Sequence, residues 1–124
     1  MSQDNDELVS DEQFYERADE FIHLANEFAD SENLDSPLTP VVPGQVSASF
    51  MYANARYSVW LSACSYKSAE DFKKDKQVIH DYYLEQFKLM LEDNLEEYHE
   101  NFETYFPQSD EDDIKPDNEV KRFV

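Results

Sequence analysis

The sequence predicts an all-α protein, a three-helix bundle, and three observations lead to this fold class. Apolar residues recur at three- and four-residue spacing in separate segments, which is the period of amphipathic helices. The chain has one glycine, Gly44, so the glycine-dependent hairpin turns of all-β folds are missing. Its 124 residues suit one domain. We expect a helical domain at about 10–106, a flexible tail at 1–9 and a disordered acidic tail at 107–124.

The first helix is predicted at about 10–30. Ser10 and Gln13 have the spacing of a capping box, with Asp11 and Glu12 in the first turn. Apolar residues then follow along one face, and we expect the acids to lie on the outer faces. The apolar residues are Phe14, Ala18, Phe21, Ile22, Ala25, Phe28 and Ala29, and the acids are Glu16, Asp19, Glu20 and Glu27.

A second helix is predicted at about 45–66, after a proline-containing linker at 31–43. Its residues are apolar or small on most faces, a pattern typical of a buried helix. We therefore expect the second helix to form the core.

A third helix is predicted at about 76–106, preceded by a short helix at 69–74 that Ser68 and Asp71 would cap. The third helix is longer than the other two, so its end should extend beyond them. The apolar side chains of that end need cover, and they are Tyr98, Phe102, Tyr105 and Phe106. A homodimer would supply the cover, as would a fold in which residues 31–43 and a tail close over the helices. Two copies repel each other electrostatically, so salt should strengthen a dimer.

The charges are unevenly distributed along the chain. The sequence has 29 acids and 10 bases, for a net charge of −19. Residues 1–36 carry a net −11, whereas residues 37–66 contain no acid and one base, Arg56. So much negative charge argues against direct nucleic-acid binding or attachment to anionic membranes, and it favours a basic protein partner.

Composition also excludes several classes of site. Dinucleotide and P-loop motifs need several glycines, and a lone Cys64 forms neither an internal disulfide nor a cysteine-based zinc site. The N-terminus lacks the basic and apolar regions of a signal peptide, and no run of 18 apolar residues exists. We expect a cytoplasmic protein without a cofactor.

Two Glu-x-x-His pairs are candidates for a metal site, because this spacing places ligands on one helix face in di-iron bundles. They are Glu20 with His23 and Glu96 with His99. Both pairs lie beside the apolar faces rather than on them, and the second helix offers no carboxylate. We predict neither a metal site nor catalytic residues; Cys64 lies on an apolar face, where a cysteine is commonly a small hydrophobe.

Three stretches of the chain resemble a family of small proteobacterial proteins of unknown function. They are FYERAD with FIHLAN in the first helix, VSAS with MYA and ARY in the second, and residues 83–102 in the third, including MLEDNL. The resemblance covers about residues 12–106. It implies a bacterial, intracellular, helical protein and assigns no site residues.

Arg56 is the one charged residue of the second helix, and a charge there needs a partner or access to water. It either forms a structural salt bridge or, with Asn54, Tyr57, Ser47 and Ser49, binds a partner or ligand. The leading hypothesis is a non-enzymatic protein-interaction or regulatory module. The alternative is a small-ligand binder or enzyme with a pocket near Arg56 and Tyr57. A minor alternative is a nucleic-acid mimic, whose carboxylates would imitate phosphates.

Overall fold

The structure, a computed structural model, describes residues 11–107, and every regular element in this range is helical. The predicted all-α fold class is therefore confirmed. Ser10 and the predicted tails, apart from Pro107, lie outside the described residues. The helices are α1 (Phe14–Ala29), α2 (Pro43–Ala63), α3 (Ala69–Lys74), α4 (Lys76–Glu100) and α5 (Phe102–Tyr105).

The described residues form two compact units, which divide within α2 after Phe50. Residues 11–50 belong to the first unit and residues 51–107 to the second. A single domain over 10–106 and a bundle of three helices stay predictions, whereas the five helices themselves are observed.

In the first unit, α1 begins at Phe14 rather than near residue 10. Arg17 donates hydrogen bonds to both carboxylate oxygens of Asp11, each 3.2 Å long, and so ties the preceding turn to the helix. The guanidinium of Arg17 lowers the pKa of Asp11 by this hydrogen bonding. The predicted boundary at Ala29 and Asp30 is confirmed, because Asp30 has extended backbone angles.

The packed face of α1 differs from the predicted apolar stripe. Ala29 and Asp19 are buried and Ile22 is half-buried, whereas Phe14 and Phe21 are exposed. Asp19, Ile22, Asn26 and Ala29 follow one another at three- and four-residue spacing, so the packed side of α1 contains small and polar residues. The prediction that Asp19 lies on an outer face is wrong.

Helix α2 begins two residues earlier than predicted, at Pro43, and ends at Ala63. Proline suits a first helical position, because its fixed φ fits the helix and its missing N–H would have no helical partner there. Val46 is the one buried residue of α2. The prediction that α2 forms a buried core is wrong for the described chain, since a helix is buried only where other elements cover its faces.

In the second unit, the predicted helix at 69–74 and its cap are both confirmed. The Ser68 hydroxyl accepts a 3.1 Å hydrogen bond from the backbone N–H of Asp71. The Tyr66 ring contacts that of Phe72 edge-on, with centroids 5.5 Å apart, and its hydroxyl donates a 2.6 Å hydrogen bond to Asp75. These contacts join the end of α2 to α3 and to the start of α4.

Helix α4 ends at Glu100, before the predicted end at 106. The Asn101 side chain donates a 3.1 Å hydrogen bond to the backbone carbonyl of Glu97, which is four residues earlier. After this break the chain continues into α5, and the rings of Tyr98 and Tyr105 stack with centroids 4.3 Å apart. Tyr105 also donates a 2.8 Å hydrogen bond to Glu97. The aromatic end of the third helix thus covers part of its own surface.

Candidate functional site

Arg56 is exposed on α2 and forms no ion pair within the described part of the chain. Of the two interpretations of this residue, a structural salt bridge is thus not seen among residues 11–107. Its guanidinium is available to a carboxylate on another molecule, because the residue is exposed and an arginine side chain carries only hydrogen-bond donors.

The other predicted site residues occupy different surroundings. Asn54 accepts a 3.4 Å hydrogen bond from Ser58, and the Tyr57 ring packs against that of Trp60, with centroids 5.3 Å apart. Asn54 and Tyr57 belong to the second unit, as Arg56 does, whereas Ser47 and Ser49 belong to the first. Both serines are exposed.

Around Arg56, two aromatic residues share its side of α2. Tyr52, Arg56 and Trp60 are spaced four residues apart, so they form a row along one face of the helix. Tyr52 is 68% exposed and Trp60 is 55% exposed. Sequence reasoning missed this row because the helix was expected to be buried; the four-residue spacing was the signal that could have found it.

A shallow groove lies between α1 and the first turns of α2, within the first unit. Its volume is about 160 Å³, close to that of an engineered apolar cavity of about 150 Å³ that holds one benzene. The groove can therefore accept one apolar side chain, and Arg56 does not line it. Its lining residues are Ile22, Ala25, Asn26, Ala29, Pro43, Val46, Ser47 and Phe50.

The histidines each lie close to a carboxylate of the described chain. His23 contacts Glu27, one turn further along α1, at 2.9 Å, and His80 lies 3.1 Å from Asp81. His99 lies 4.0 Å from Glu96. Across residues 11–107, no group of three histidine, cysteine, aspartate or glutamate side chains is placed to hold a metal ion.

Cys64 was predicted to lie on an apolar face of the second helix as a small hydrophobe, and this prediction is wrong: Cys64 is an exposed free thiol just after the end of α2. In the described part of the chain, no helix has the length and apolar character that crossing a membrane requires.

Comparison with known proteins identifies the class of protein to which this chain belongs. Residues 14–99 match the family described as protein of unknown function (DUF3144), and the chain is a member of it. No match was found among curated proteins. The chain is also similar to the solved NMR structure of the protein NB7890A from Shewanella sp. The two are 41% identical, the similarity covers 77% of this chain and 93% of that one, and the TM-score is 0.57.

Proposed function

We propose that this protein is a non-enzymatic interaction module that binds another protein through the exposed row of Tyr52, Arg56 and Trp60 on α2. The observation that carries the proposal is the exposure of all three side chains on one helix face, with no ion pair between Arg56 and a described residue. Tyrosine, arginine and tryptophan are the residue types most enriched in binding hot spots.

The chemistry of the row defines its partner. The two aromatic side chains supply apolar area with few rotatable bonds, and the guanidinium between them binds a carboxylate through two parallel hydrogen bonds. The partner therefore presents an apolar patch with a carboxylate at its centre. The net charge of −19 favours a partner that is basic outside that patch, because opposite charges accelerate encounter. The module acts in the cytoplasm in this proposal and regulates its partner by occupying this patch.

A photo-crosslinking amino acid at position 57, beside the row, tests the proposal in the native cells. We expect one discrete crosslinked protein, whose yield falls at least about tenfold in Trp60→Ala and in Arg56→Ala, as for hot-spot residues. Leu61→Ala is the matched control. Leu61 is as exposed as Trp60, at 54%, but it lies nine residues after Tyr52 on the opposite face of α2.

Equal losses in Trp60→Ala and Leu61→Ala, or no crosslinked protein at all, would contradict the proposed binding face. Mass spectrometry of the crosslinked material also addresses the alternative of a small-ligand binder or enzyme near Arg56 and Tyr57. If the chain crosslinks only to a small molecule, and Arg56→Ala abolishes the product, the interaction proposal is wrong.

A further inference from the structure

Helix α4 presents an apolar stripe that the described chain leaves half-exposed. The stripe consists of Leu84, Phe87, Leu91 and Leu95, whose spacings of three, four and four residues place them on one face. These side chains are between 46% and 61% exposed. The spacing is that of the apolar face of an amphipathic helix, which needs another element to cover it.

The exposed area is enough for a stable interface with another helix. Met90 lies beside the stripe and is 48% exposed. Five half-exposed side chains of this size offer roughly 500 Å² of apolar surface at about 100 Å² each. A standard interface buries about 800 Å² per partner, and roughly 60% of that area is apolar. The stripe therefore supplies about the apolar area of such an interface, and the remaining roughly 300 Å² has to come from polar side chains beside it.

The charges along this unit indicate which arrangement of two copies fits the stripe, because the two ends of α4 differ in net charge. Residues 67–81 contain four lysines and four acids, and Lys67, Lys73 and Lys76 make no ion pair with a described residue. Residues 92–103, by contrast, contain six acids and neither lysine nor arginine. A second α4 that runs in the opposite direction places each acidic end beside the lysine-containing start of the other helix, whereas a parallel one places the two acidic ends together.

We propose that a second copy of this chain covers the stripe, with the two α4 helices antiparallel about a two-fold axis near Met90. In this register Leu84 lies beside Leu95 of the other copy, at both ends of the stripe. Lys76 of each copy lies near Glu103 of the other. The proposed dimer uses α4 and not the row on α2, so its formation does not depend on whether that row binds another protein.

The oligomeric state of the full chain is the first test. Sedimentation equilibrium at about 50 µM, a concentration at which micromolar dimers are populated, should give twice the chain mass of 14.6 kDa. Leu91→Glu should give a monomer with unchanged helical circular dichroism, because Leu91 is exposed. Tyr82→Glu is the matched control. Tyr82 is 56% exposed and lies nine residues before Leu91, on the opposite face, so this variant should stay dimeric.

A charge-reversal cycle tests the antiparallel direction. Lys76→Glu should raise the dimer dissociation constant about fivefold, and so should Glu103→Lys. The two substitutions together should restore it to within about twofold of the original, because the ion pairs reform in reverse. Such rescue cannot occur within one chain, since α4 is about 36 Å long between residues 76 and 100 and separates Lys76 from Glu103.

Several outcomes would overturn the proposal. A 14.6 kDa species at both low and high salt excludes the dimer, and dissociation by Tyr82→Glu but not by Leu91→Glu moves the interface to another face. Failure of the double variant to recover excludes the antiparallel arrangement. A dimer that Glu103→Lys tightens would show that general charge repulsion, rather than pairing of the helix ends, governs association.

Discussion

Asp19 shows how a single side chain determines which face of α1 packs. It is fully buried, although carboxylates are rarely buried without a partner. Asp19 lies one turn before Ile22 and two turns before Asn26, on the packed face of α1. Because this face packs, Phe14 and Phe21 are left exposed. Residue types alone predicted that Asp19 would be exposed and the phenylalanines packed, because the spacing of apolar residues does not reveal a buried polar interaction.

Replacing Asp19 should therefore destabilise the protein. Asp19 takes part in a polar interaction, and its loss leaves a partner group without a hydrogen bond or a compensating charge. We expect Asp19→Ala to lower the free energy of unfolding by about 1–3 kcal/mol in urea titrations. Glu16→Ala, at an exposed position of the same helix, should change it by less than about 0.5 kcal/mol. Equal effects would show that Asp19 contributes no more than a surface acid.

The Tyr66 hydroxyl offers a second test at single-residue scale. Its hydrogen bond to Asp75 raises the pKa of Tyr66 above the ordinary value near 10, because the protonated phenol is the donor. This contact stabilises the fold below that ordinary value, and its contribution is lost as the pH rises through the raised pKa. Ultraviolet titration should show Tyr66 ionising later than ordinary tyrosines, and Asp75→Ala should return it to the ordinary range.

Tyr105 serves as the control in the same titration. The pKa of Tyr105 is also raised, but by its hydrogen bond to Glu97 at the far end of α4. Asp75→Ala should leave that transition in place, and Tyr66→Phe identifies which transition belongs to Tyr66. If Asp75→Ala moves neither transition, the hydrogen bond does not form in solution.

At the scale of elements, local signals predicted the short helix α3 and the start of α4, whereas the start of α1, both ends of α2 and the end of α4 differ from the prediction by two to six residues. Ser68, with Asp71 three residues on, located the start of α3, because a cap is a contact between near neighbours. The predicted end of α4 was wrong, because apolar residues continue at helical spacing past Asn101. The Asn101 side chain donates a hydrogen bond to a backbone carbonyl of the previous turn, and the regular helix ends there. Burial was predicted least well, because it depends on neighbouring elements that a helix pattern does not specify.

The sequence predicted one of the three residues of the proposed binding row, Arg56, and not its two aromatic neighbours. Arg56 stood out because it is the one charge in an uncharged segment, and it is exposed as a binding residue requires. Tyr52 and Trp60 were assigned to the core, because in a helix expected to be buried an aromatic residue predicts packing. Exposure alone separates the two interpretations, and it comes from tertiary structure.

The Ser68 cap gives a prediction for α3. Ser68→Ala removes the acceptor of the Asp71 N–H and should lower the free energy of unfolding by about 1 kcal/mol. Ser49→Ala is the matched control, because Ser49 is exposed inside α2, where alanine is the better helix former. Urea denaturation followed by circular dichroism measures both variants. A Ser68→Ala protein as stable as Ser49→Ala would show that α3 does not depend on its cap.

At the scale of the whole molecule, the dominant property is a net charge of −19 on 124 residues. Such an excess keeps molecules soluble and works against compact states through self-repulsion. The family match over residues 14–99 spans α1 to most of α4, where acids are abundant on α1 and α4 but absent from α2. Because α2 contains no acid, it is the segment on which another molecule can dock without opposing this charge, whereas a second copy on α4 must overcome it.

Salt should therefore stabilise the protein as a whole. Raising sodium chloride from about 0.02 M to about 0.3 M shortens the Debye length from roughly 20 Å to roughly 6 Å and weakens repulsion between the acids. If this adds about 1 kcal/mol, the midpoint of thermal unfolding rises by about 3–5 °C for a chain of this size. The control replaces three exposed acids of α4 by amides, as Glu85→Gln, Glu92→Gln and Asp93→Asn. Its salt-dependent rise should be smaller, since less repulsion is left to screen. An equal rise in both proteins would assign the effect to general salting-out, and a fall would show that ion pairs such as Arg17 with Asp11 outweigh the repulsion.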